Sequence, residues 1–218
     1  MQNASNGVFD GIGNTPLVEL RRVVPASGAR VVAKLEWANP TGSMKDRMAR
    51  TAIEGAIGDG RLRPGDTVVE YTAGTTGISL AFVCAALGYG LHIVFSDAFS
   101  VEKRRTMKAF GATVEEVKSD HGQITESLIK SMIARAGEVA EQSGHWWCDQ
   151  LNNHDAIAGY LPSARRSGRK PVGELTPSFT SWALRTPFTV WRKHFGSTSP
   201  GCALWRWSLR NQPCSRAD

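Results

Sequence analysis

"DTVVEYTAGTTGISLAFVCAALGYGLHIVFS", residues 66–96, places two apolar, β-rich runs on either side of a stretch whose apolar residues recur at helical spacing. The first run ends in the small-residue turn "TAG", and "GYG" precedes the second, "LHIVFS". A strand, a crossover helix and a second strand lie parallel in one sheet, because the helix returns the chain to the end where it started. A parallel sheet needs cover on both faces. The prediction for this segment is therefore one β-α-β unit of a layered α/β fold.

The alternation extends in both directions. "RVVAKLE" (30–36) reads as a strand, and "DRMARTAIEGAIGDG" (46–60) as a helix ending in glycines. "SVEKRRTMKAFG" (100–111) reads as a helix capped by Ser100 and stopped by Gly111, and "ATVEEV" (112–117) as a short strand. "ITESLIKSMIARAGEVAEQ" (124–142) is the longest helix and "HWWCDQ" (145–150) a last strand. The fold class read from this order is α/β, with parallel sheets flanked by helices.

With 218 residues, 41% of them hydrophobic, the chain can bury a substantial core. No apolar run reaches membrane-span length, and "MQNASNGVFDGIGNTPL" has neither the basic nor the apolar part of a leader, so a cytoplasmic location is expected. Cys84, Cys148, Cys202 and Cys214 lack C-x-x-C spacing, which argues against a zinc site or disulfide framework and for buried or free thiols. The net charge of +6 is uneven: residues 1–160 hold 16 Lys+Arg against 18 Asp+Glu, whereas residues 161–218 hold 10 against 2. The body is thus net −2 and the tail net +8, so the basicity is no property of the folded body and no nucleic-acid partner is expected.

Two loops stand where such folds bind ligands, at strand carboxyl ends and helix starts. They are "NPTGSMK" (39–45) and "YTAGTTG" (71–77). In the second, Gly74 and Gly77 permit a tight turn, and Thr75 and Thr76 offer hydroxyls beside free helix N–H groups, which suits a carboxylate or phosphate. Taken singly, each loop has a plain structural explanation: a Gly/Thr turn is usually just a turn, and a lysine near a helix start is usually solvated.

Their combination is more specific. "GNTPLVEL" (13–20), "KLEWANPTGSMKDRMA" (34–49), "EYTAGTTGISLA" (70–81) and "DQLNNHDAIAGY" (149–160) occur in the order and approximate spacing of the cysteine synthase and cystathionine β-synthase group. Residues 8–160 thus resemble the fold-type II pyridoxal-phosphate enzymes, which have the tryptophan synthase β-like fold. The resemblance implies pyridoxal 5'-phosphate as cofactor, carried as a Schiff base by Lys45. Burial and a helix N-terminus would both ease loss of the Lys45 proton. The freed amine would then take the substrate's Cα proton. The resemblance also implies that Thr72, Ala73, Gly74 and Thr76 bind the substrate α-carboxylate, with Gln150 as a further donor, and that Thr75 meets the cofactor ring. No metal is implied. The expected reaction is β-replacement on an O-activated serine, O-acetylserine plus sulfide giving cysteine and acetate. Cystathionine β-synthase-like replacement, β-elimination, and an inactive remnant that only binds a partner are the alternatives. A homodimer is implied for the full-length family form. The loop departs from the family's common T-S-G-N-T-G by reading T-A-G-T-T-G, with Ala73 and Thr75, which weakens the substrate assignment more than the cofactor assignment.

The organisation expected is an N-terminal enzyme region over 1–160, comprising a small domain of about 41–150 and part of a large one, followed by a different segment over 161–218. That segment holds four of the seven Trp and six of the ten Pro without an apolar period. Read one base back, "SARRSG" (163–168) becomes "LGEEIW", and the fixed Trp codons at Trp182, Trp191 and Trp205 restore to Leu-Gly, Val-Ala and Val-Ala. The tail is therefore expected to be a frame-shifted, disordered segment, and the activity of the chain as written to be impaired.

Overall fold

The structure, a computed structural model, describes residues 7–22 and 31–163. The expectations for the tail, its shifted frame and its disorder, lie outside the described residues. Near the N-terminus β1 (Leu17–Leu20) pairs antiparallel with β2 (Val31–Lys34), Leu17 opposite Lys34 and Leu20 opposite Val31. The sequence reading assigned 30–36 to the parallel series and gave no strand at 17–20. The correction has a simple cause: only ten residues separate the two strands, too few for the crossover a parallel pair needs.

The larger sheet follows the predicted order. After helix α1 (Lys45–Gly58) come β3 (Thr67–Tyr71), α2 (Thr75–Leu87), β4 (Gly90–Ser96), α3 (Val101–Ala109), β5 (Thr113–Val117), α4 (Glu126–Ala140) and β6 (His145–Trp147), with a short α5 (His154–Ala158) beyond. The four strands lie in the order β5-β4-β3-β6, all parallel, with Val69 facing both His92 and Trp147 across the ladder region. The chain thus builds outward from β3 through β4 to β5, then returns to the other side of β3. Between β3 and β6 the winding reverses, and a crevice opens at the carboxyl ends there.

Helices cover both faces, as a parallel sheet demands. Val68, Ile93 and Phe95 join Met48, Ile53, Leu80, Val83 and Met107 from α1, α2 and α3 in the larger core. Val69 and Val94 point the other way, onto Leu128, Met132, Ala136 and Val139 of α4. Those four recur every three or four residues, so α4 buries one stripe. By contrast, α2 is wrapped by α1, α3 and the sheet, which explains why "ISLAFVCAAL" is apolar almost throughout. Local signals set the ends: Ser100 and Thr125 accept the N–H of Lys103 and Leu128, and Gly88 closes α2 at φ 77°. Cys84 and Cys148 are buried free thiols. Among the described residues no helix is long and apolar enough to cross a membrane.

Candidate active site

Lys45 is the first residue of α1, and its side chain is 3% exposed. Its Nζ donates to Tyr160 Oη at 3.1 Å. An ammonium has three donors to satisfy, and burial lowers this one to about 8. Burial also raises the Tyr160 phenol, which stays neutral. The pair is a cation held in a dry place by a hydroxyl, and among the described residues no carboxylate pairs with it to keep its proton on.

The neighbours of Lys45 fix the start of α1. Asp46, fully buried, accepts Thr41 N–H at 2.8 Å and the Ser79 hydroxyl at 2.6 Å, with the Thr41 hydroxyl as a third donor. Its charge sits at the helix end that favours an anion. Because Ser79 belongs to α2, the same carboxylate holds the N-termini of α1 and α2 side by side. Arg47 reaches backward, meeting Glu36 through Nε at 2.9 Å and Nη2 at 3.1 Å. Burial opposes the charge on Glu36, but the hydrogen bonds from Arg47, Thr15 and Asn39 prevail and hold its carboxyl below the usual range. This cluster ties "GNTP" and "NPTGS" to α1; Asn39 also accepts Gly13 N–H at 2.8 Å.

Across the crevice, the loop after β3 enters α2 through Gly74 at φ 147°. That backbone conformation requires glycine, and the Lys103 side chain lies over the space a Cβ would take. The Thr72 hydroxyl accepts Gly74 N–H at 2.9 Å, and α2 carries no side-chain cap. Thr76 and Gln150 are both buried, and the Thr76 hydroxyl donates to Gln150 Oε1 at 2.6 Å. Ala73 and Thr75 are exposed at the lip of the loop. The structure therefore brings Thr72, Gly74, Thr76 and Gln150 to one place at the switch point, beside the helix that begins with Lys45.

Gln150 does not continue a strand as "HWWCDQ" suggested. β6 stops at Trp147, and the chain turns through Asp149 at φ 44°, which swings Gln150 toward Thr76. Asn153 then caps α5 by accepting the N–H groups of Asp155 and Ala156. At Gly159 a Cβ would meet Arg47 O at 2.6 Å; this close approach to α1 delivers Tyr160 to Lys45.

Sequence reasoning missed Tyr160, Asp46 and Glu70. Glu70, in the middle of an apolar run, is fully buried, and burial raises its carboxyl to about 8. Its position immediately before the loop was the available signal. Among the described residues no group of three or more His, Cys, Asp or Glu is placed to hold a metal ion. A buried lysine of lowered proton affinity fits an aldehyde, and the uncapped N-terminus of α2 fits a separate small anion such as a carboxylate.

Comparison with known proteins gives this geometry its context. Residues 8–164 match the family model described as pyridoxal-phosphate dependent enzyme. The chain is 43% identical to a cysteine synthase of Staphylococcus aureus over 152 residues, 70% of this chain and 47% of the relative. It is 40% identical to the O-ureido-L-serine synthase of Streptomyces lavendulae over 148 residues, 68% of this chain and 44% of that one. The structure is similar to that of O-acetyl serine sulfhydrylase isoform 3 from Entamoeba histolytica, with TM-score 0.66 and 35% identity over 76% of this chain and 50% of the other. The chain spans about half the length of the curated relatives it matches. Over its described body, then, the chain belongs to the pyridoxal-phosphate-dependent enzyme family, of fold type II.

Proposed function

We propose that this chain carries the lysine-bearing part of a β-replacement enzyme of the cysteine synthase type, acting on O-acetyl-L-serine and sulfide to give cysteine and acetate. The observation that carries the reading is the Lys45 amine, buried at the start of α1 with Tyr160 beside it. When bound, pyridoxal phosphate supplies an electron sink for a carbanion at the substrate Cα. The chain's own residues do the rest. Lys45 Nζ, easily neutral, holds the cofactor and accepts the Cα proton. Thr72, Gly74 and Thr76, at the uncapped end of α2, bind the α-carboxylate with Gln150. Thr75, exposed at the lip of that loop, is the residue this reading assigns to the cofactor ring. Residues of about 41–150 act as the small domain that presents this loop.

Ala73 and Thr75 favour a second reading, in which the β-substituent or the nucleophile differs from that of an ordinary cysteine synthase. The similarity to an O-ureido-L-serine synthase supports it. The family match stops at residue 164, beside the codons where a one-base shift restores "LGEEIW". We read 161–218 as the shifted frame of the first part of the remaining half, and sequencing the nucleotides of codons 155–170 tests that directly. With the frame restored, the protein is expected to be yellow and to convert O-acetyl-L-serine and sulfide. A frame-restored protein with cofactor bound and no β-replacement on any O-activated serine would refute the proposed reaction.

A further inference from the structure

Glu70 is the last inward residue of β3 and is 0% exposed, yet no Lys or Arg pairs with it among the described residues. Its contacts are amides. Oε1 accepts Tyr71 N–H at 3.0 Å and Oε2 accepts Gln150 N–H at 3.0 Å. The second bond crosses from β3 to the turn after β6, the two segments that bound the crevice. Gln150 in turn takes the Thr76 hydroxyl at 2.6 Å. A closed path runs from β3 through the Glu70 carboxyl to Gln150, across to Thr76 and back along the loop to β3. Since Asp149 turns at φ 44°, the direction of Gln150 depends on what holds its own amide.

We propose that Glu70 is a positioning residue of the candidate site: by accepting the Gln150 N–H it sets where the Gln150 side chain stands against Thr76. It thereby fixes the width of the crevice over the first turn of α2. The inference rests on the reading of Gln150 as a substrate contact, and it names the group that places it. Ionisation of the carboxyl strengthens its hydrogen bonds to the amides, so the protonation state of Glu70 tightens or relaxes the crevice.

The groups facing Glu70 agree with such a device. Burial is the largest influence and raises its carboxyl to about 8; the amides of Gln150 and Tyr71 work against burial, and the Asp149 charge adds to it. The indole N–H of Trp147 is buried without a hydrogen bond of ordinary geometry, yet lies near enough to favour the charged carboxylate. Tyr71 and the Cys148 thiol are each raised mainly by burial, with Glu70 contributing. On the β4 side the register neighbour is the apolar Ile93. One proton, released to solvent, separates the two states.

The test is the pH dependence of the amide resonances of the ¹⁵N-labelled chain, without substrate. The Gln150 and Tyr71 amides are expected to move together with one midpoint, near 8 in wild type and lower in Asp149→Asn, where the charge that adds to burial is gone, and to lose that titration in Glu70→Gln. Hydrogen exchange at Gln150 and Thr76 is expected to rise roughly ten-fold in Glu70→Ala relative to Ile93, with partial rescue in Glu70→Gln. Gln150 amides that do not titrate in wild type would overturn the proposal whether or not the variants fold. So would exchange that rises equally at all core amides, which is the mark of a purely structural residue. Pyridoxal-phosphate labelling of Lys45 reports on the enzymatic reading separately, so failure of one is not failure of the other.

Discussion

Lys45 Nζ and Tyr160 Oη meet at 3.1 Å across 115 residues of sequence, joining the first residue of α1 to the residue after Gly159. Because this hydroxyl is the partner seen for a buried ammonium, removing it makes the charged form costlier still. Tyr160→Phe is expected to move the Lys45 titration below its value of about 8. The pH dependence of Lys45 acylation, followed by peptide mapping, measures the midpoint; an unchanged midpoint would mean the hydroxyl does not support the charge.

The same burial makes Lys45 a cost to the fold. Its folded value of about 8 lies below the ordinary 10.5, so between these pH values the unfolded chain binds the extra proton and stability rises with pH. Below about pH 8 the penalty is fully present, and above 10.5 it is gone. Lys45→Met is therefore expected to stabilise the chain at pH 7 by about 3 kcal/mol, a gain that fades from pH 8 to 10.5. Urea denaturation at several pH values checks this; a Met variant less stable at pH 7 would contradict it.

Gly159→Ala places a methyl 2.6 Å from Arg47 O and 2.4 Å from Thr51 Oγ1. α5 must then move away from α1, and Tyr160 with it. A loss of about 1–3 kcal/mol is expected from the overpacking, accompanied by faster exchange at α5 amides. Thermal unfolding and hydrogen exchange measure both; full stability with Tyr160 still protected would show that the crossing can yield.

Thr76→Val keeps shape but leaves Gln150 Oε1 buried without its donor, which costs about 1–3 kcal/mol. In a frame-restored protein, amino-acid binding is expected to weaken more than cofactor binding. Calorimetric titration with O-acetyl-L-serine and with pyridoxal phosphate separates the two. Equal losses would assign the loop to the cofactor instead.

Most of the larger sheet could be read from the sequence because its elements are long and periodic. Leu128, Met132, Ala136 and Val139 mark the buried stripe of α4, and Ser100 and Gly88 mark helix ends. β1 escaped because four half-exposed residues carry little pattern and its pairing depends on β2. Lys45, Thr72, Gly74, Thr76 and Gln150 were legible as motif residues, and the fold gathers them. Glu70 was not, since its place just before the loop marks it without saying whether its side chain turns inward. Tyr160 lies too far along the chain for any local period to connect it with Lys45.

Lys45 is the amine proposed to take the cofactor, and reductive labelling tests this most directly. The chain is incubated with pyridoxal phosphate, treated with borohydride, digested and mapped. A single labelled peptide containing Lys45, absent in Lys45→Met, is the expected result. Lys34, whose Nζ donates to Thr15 O at 2.9 Å, and Lys103, lying along Gly74, should remain unlabelled. A label on either of these in place of Lys45 would contradict the account.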